Sequence, residues 1–64
     1  MKEQNSLALL RAERSKLNTY IDRTELTIMD KIRHGEYVED LIEYRESLKS
    51  RAKEVHELIN SYYE

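Results

Sequence analysis

Apolar residues recur along this chain in alternating steps of three and four. Leu7, Leu10, Arg14, Leu17, Ile21, Thr24 and Ile28 keep this rhythm in the first half, and Tyr37, Leu41, Tyr44, Leu48, Arg51, Val55, Leu58 and Tyr62 keep it in the second. Such spacing gathers side chains on one face of an α-helix, whereas a half-buried strand alternates with a period of two. Val38, Arg45, Ala52 and Ile59 lie beside the second stripe and widen it from a narrow seam toward a face suited to more than one neighbour.

Between the stripes stands Gly35, the only glycine in 64 residues that include no proline. Lys31, Arg33 and His34 place positive charge where a helix exposes its last carbonyls, and glycine adopts the left-handed conformation that ends helices. Glu36, Glu39 and Asp40 then bring negative charge to the first turn of the next helix, where the dipole favours it. The expected fold is therefore all-α, an antiparallel two-helix hairpin with helices over about residues 4–34 and 37–63. It forms a single domain, 1–64, completed as a helical bundle by dimerisation or by a partner. One continuous rod is the competing arrangement; it tolerates the glycine at about 1 kcal/mol but leaves the paired charge signals unexplained. Asn18 to Thr24 is the weakest helical stretch, rich in β-branched and short polar residues. The stripe crosses it without a change of phase, so it reads as helix.

Folding the arms together pairs Leu10 with Tyr62, Leu17 with Val55, Thr24 with Leu48 and Ile28 with Tyr44. It sets Arg14 against Leu58 within reach of Glu57, and Arg51 against Ile21 within reach of Asp22. Both arginines are expected to lay their stems along the seam and keep their heads outside it, because neither charge can be buried bare.

Composition limits what such a hairpin can be. Apolar residues make up 39% and charged residues 38% of the chain, so the core is thin for a domain of this size. Cysteine is absent, which leaves self-association or a partner as the expected supplement. Leu7 to Leu10 is the longest apolar run, far below the roughly 20 residues that span a bilayer. No membrane association and no secretory signal are expected, and the expected setting is cytoplasmic. The net charge of −2 is unevenly divided: seven bases and five acids precede Gly35, four bases and eight acids follow it, giving +2 against −4. The arms attract one another.

Leu9, Leu26, Met29, Ile42 and Tyr63 lie off the stripes, and a two-helix unit has no further layer to cover them. With Tyr20, whose ring and hydroxyl suit an interface, they are the candidate partner-binding residues. No catalytic, cofactor or metal residue is expected. His34 with Asp30, and His56 with Asn60, have chelating spacing, but two ligands do not make a site. Lysine stands three residues before each histidine, where di-iron bundles carry glutamate. His34 reads instead as a residue that caps the first helix. The serines lack the glycine-bearing turn of a nucleophile, and no small-molecule substrate is implied.

Three resemblances bear on function. The layout resembles the dimeric four-helix-bundle regulators of plasmid copy number, which implies nucleic-acid binding along Arg11, Arg14, Lys16 and Arg23. Glu13, Asp22 and Glu25 are interleaved with those bases, and the pI is about 5.7, which dilutes phosphate attraction. The segment Ala52 to Tyr62 resembles the tail of the small sporulation aspartyl-phosphatases and keeps Leu58-Ile59. Ala52, Lys53 and His56 stand where that motif carries Ser, Gln and Asp, so the activity is not carried over. Gly35 followed by Tyr37 is similar to the turn of helical-hairpin co-chaperones of type III secretion needle subunits, which implies a chaperone role. The expected function is that of a small non-enzymatic interaction module, an adaptor, chaperone, inhibitor or regulator of the kind found among phage and plasmid accessory proteins. Its partner is itself, as a homodimer, or a larger protein. An RNA- or DNA-binding dimer is the alternative.

Overall fold

A computed structural model describes the backbone of residues 2–63 and the side chains of residues 6–63. Two helices, α1 (Lys2–Arg33) and α2 (Glu39–Ser61), pack as an antiparallel hairpin measuring 50 × 14 × 14 Å. The arms are less equal than the stripes imply. α1 has 32 residues and α2 has 23, because residues 34–38 and 62–63 belong to neither helix.

The bend is built by backbone hydrogen bonds that close α1. The amide of Glu36 donates to the Lys31 carbonyl at 2.9 Å, and that of Gly35 to the Ile32 carbonyl at 3.0 Å. This is the Schellman pattern, which requires a left-handed residue just past the helix end, and Gly35 supplies it with φ of 72°. An apolar contact commonly accompanies the pattern across the positions held here by Lys31 and Glu36. In this chain an ion pair spans them, Lys31 Nζ to Glu36 Oε1 at 3.7 Å. His34 caps as expected: its Nδ1 lies 2.8 Å from the Asp30 carbonyl. A carbonyl only accepts, so Nδ1 carries the proton. α2 begins without a side-chain cap at Val38 and has Glu39 and Asp40 in its first turn.

α1 runs unbroken through the stretch of low helix propensity. Thr19, Thr24 and Thr27 donate their hydroxyls to the carbonyls of Ser15, Tyr20 and Arg23, four residues back, at 3.1, 2.7 and 3.0 Å. Each thus satisfies its hydroxyl inside the helix rather than competing with it. This lets Thr24 sit buried in the seam.

The seam of α1 is the one its stripe describes. Leu17, Thr24 and Ile28 are buried, while Leu7, Leu10, Arg14 and Ile21 are half-buried. Leu17 meets Val55 and Ile59 in the main core cluster, with Leu7, Leu10, Leu48 and Ala52 packed against it.

On α2 the expected stripe requires correction. Val55 and Ile59 are buried, and Val38, Leu41, Arg45, Leu48 and Ala52 are half-buried, whereas Tyr37, Tyr44, Arg51, Leu58 and Tyr62 are exposed. The helix is turned so that the row flanking the expected stripe faces α1. Leu41, Leu48 and Val55 belong to both rows, and small Ala52 in the flanking row lets the helix axes approach more closely than Tyr44 or Arg51 would. Leu17 with Val55 holds as a layer. Tyr44 and Tyr62, offered as partners for Ile28 and Leu10, lie largely outside the core.

Candidate functional site

Cross-helix contacts fix the two long edges of the hairpin. On one, Arg51 Nε donates to Glu13 Oε1 at 2.7 Å and Nη2 donates to Glu13 Oε2 at 3.1 Å, while Nη1 donates to Glu54 Oε2 at 2.8 Å. These hydrogen bonds hold the Glu13 carboxyl below its ordinary value and raise the Arg51 guanidinium above its own. Arg51 therefore reaches Glu13 and not Asp22, because α2 is turned. On the other edge Lys49 Nζ lies 3.5 Å from Glu25 Oε1. Glu13 and Glu25 stand about 120° apart around α1, and Arg51 and Lys49 about 200° apart around α2, so the pairs close opposite edges.

Residues a heptad away from each pair lie on the same edge. One heptad toward the bend from Glu13 and Arg51 stand Tyr20 and Tyr44, then Thr27 and Tyr37; one heptad away stand Ser6 and Leu58. This first edge is a tyrosine row. On the second edge, one heptad toward the bend from Glu25 and Lys49 gives Ile32 and Ile42. The opposite direction gives Asn18 and His56, then Arg11 and Tyr63, and the Arg11 guanidinium indeed lies 5.8 Å above the Tyr63 ring. The second edge is thus apolar only at the bend.

The expected partner-binding residues fall on these surfaces separately. Tyr20 is on the first edge, 46% exposed, and Tyr63 closes the far end of the second. Leu26 and Met29, 67% and 57% exposed, climb the outside of α1 toward the second edge, where Ile42 is half-buried. Ile32, 58% exposed, completes this ridge and was not among the expected residues. Its spacing of three from Met29 is the signal that marks it. Leu9, 71% exposed, stands apart from that patch on the back of α1.

The four bases of α1 expected to line a nucleic-acid face, Arg11, Arg14, Lys16 and Arg23, do not share one. Lys16 and Arg23 line a shallow depression of about 220 Å³ with Ser15, Thr19 and Tyr20. Arg11 is turned to Tyr63 on the other edge, and Arg14 is half-buried on the seam side. Among the described residues no three His, Asp or Glu side chains are grouped to hold a metal ion, and no helix is long and apolar enough to cross a membrane.

Fold and surface together define an all-α helical hairpin whose distinguishing features are its two unlike edges. No family model, curated protein or solved structure matches the chain.

Proposed function

We propose that this hairpin is a small non-enzymatic interaction module, an adaptor, chaperone, inhibitor or regulator that acts in the cytoplasm by packing its helices against another protein surface. The observation that carries the reading is the imbalance of apolar burial. Among the described residues only Leu17, Ile28, Val55 and Ile59 are buried apolar residues, while ten large apolar or aromatic side chains are exposed. Isolated exposed apolar residues are ordinary, but a continuous group marks a contact surface. Leu26, Met29, Ile32 and Ile42 form such a group beside the bend, and it is the surface offered to a larger partner.

The interleaved acids and the division of the bases among faces favour protein over RNA or DNA as the partner, since phosphate binding draws on charge gathered along one face. The test is recovery of the bound protein from the native cell by the wild-type chain and by a Leu26→Asp, Met29→Asp variant. The variant is expected to keep its helicity and lose the partner. Retained binding moves the surface elsewhere. A nucleic acid as the recovered species, bound with an affinity that falls steeply with salt, replaces the reading.

A further inference from the structure

We propose that a second copy of this chain docks along the tyrosine edge, with Tyr20 of α1 and Tyr44 and Leu58 of α2 at the centre of a two-fold contact. The proposal rests on the reading that the chain works through helix packing, and names one surface and its occupant. α2 carries two apolar seams that share Leu41, Leu48 and Val55. The inner seam, through Val38, Arg45, Ala52 and Ile59, is used by α1. The outer seam, through Tyr37, Tyr44, Arg51 and Leu58, has no helix against it among the described residues, and its apolar members are 69%, 51% and 44% exposed. A helix with two adjoining seams belongs in a bundle of more than two helices.

Only this edge accepts a helix along its length. The opposite edge is interrupted by Asn18, Glu25, Lys49 and His56, and its apolar stretch is confined to the bend. Arg51 does not obstruct the tyrosine edge, because Glu13 and Glu54 already occupy its guanidinium on three hydrogen bonds. A charge paired in this way can be covered, where a bare one could not.

Charge selects a second copy as the occupant, and the exposed area is sufficient for one. A compact chain of 7.7 kDa exposes about 4,300 Å², whereas this one exposes 5238 Å². The excess follows from the elongated 50 × 14 × 14 Å shape, which leaves surface enough for the share of about 800 Å² that each partner gives to a standard interface. On this edge α1 presents Lys16 and Arg23 beside Tyr20, and α2 presents Glu54 beside Arg51. α1 belongs to the half that carries +2 and α2 to the half that carries −4. A two-fold operation that lays the α1 of one copy beside the α2 of the other therefore brings opposite charges together twice.

The test is sedimentation equilibrium on the full chain, combined with hydroxyl-radical footprinting of the wild type at low and high concentration. The expected result is a dimer in which Tyr20, Tyr44 and Leu58 become protected while Leu26 and Met29 stay reactive. A Tyr44→Glu, Leu58→Glu variant is expected to dissociate at least about 100-fold more readily, the effect of removing two central anchors. Footprinting needs no variant to fold, so it decides the surface by itself. A monomer at every concentration overturns the second copy and leaves the partner surface at the bend to its own test. A dimer protected at Leu26, Met29 and Ile32 instead overturns the assignment of the edge.

Discussion

Arg51 grips both carboxylate oxygens of Glu13 across the helix interface, at 2.7 and 3.1 Å, and so ties the middle of α2 to the first half of α1. The two residues are 38 positions apart, and theirs is the one bidentate cross-helix contact among the described residues.

This pair makes the hairpin sensitive to acid. The Arg51 hydrogen bonds hold the Glu13 carboxyl below its ordinary value of 4.5. A depressed carboxylate contributes stability that is present above the unfolded-state value and is lost as pH falls through the lower folded-state value. The wild type is expected to lose part of its thermal midpoint over that acidic window. Glu13→Gln should start lower at neutral pH and show a shallower fall. Circular dichroism melting across a pH series checks this; parallel profiles for the two chains would remove the pair as the cause.

Gly35 is required for its backbone and not for its size. A Cβ added there meets nothing within 4 Å, yet φ is 72°. Gly35→Ala is expected to destabilise the hairpin by about 1 to 2 kcal/mol, the cost of a left-handed conformation for an L-residue. Chemical synthesis with D-alanine at this position should instead stabilise it, because the D-residue favours that conformation and restricts the unfolded chain. Urea unfolding at fixed chain concentration measures both. Equal loss for the two enantiomers would point to a steric cause.

Arg45 occupies an inner-seam position at a cost. Its Nε is buried without a hydrogen-bond partner among the described residues, and its Nη2 donates only to neighbouring Glu46 at 3.1 Å. Leaving a donor unsatisfied costs about 1 to 3 kcal/mol. Arg45→Met keeps the length of the stem and removes the donor, so the variant is expected to be more stable by about 1 kcal/mol. A lower urea midpoint than wild type would show that the guanidinium has a role the buried nitrogen conceals.

The helices, the bend and the inner face of α1 were all legible in the residues. Gly35 with its flanking charges announced the turn, and the stripe from Leu7 to Ile28 named the face that α1 buries. The face of α2 was not legible from spacing. Its two candidate rows share Leu41, Leu48 and Val55 and differ by one position at each intervening step, so spacing alone ranks them equally. Each row carries one arginine, and Val38, Ala52 and Ile59 are together more hydropathic than Tyr37, Tyr44 and Leu58, so hydropathy marks the inner row where side-chain bulk favours the tyrosines.

The local choices are written along the chain: which segments are helical, where it reverses, and how little apolar surface is available to bury. Those depend on backbone propensity, glycine stereochemistry and residue periodicity, all of them properties of neighbours in the chain. The rotation of α2 about its own axis is settled by packing between the helices. Val55, Ile59 and Ala52 pack with Leu17 in that orientation and Arg51 meets Glu13 at its edge, and both contacts join residues far apart in sequence. The rotation hides Ile59, exposes Tyr44 and Leu58, and thereby turns an expected core row into an outward-facing edge.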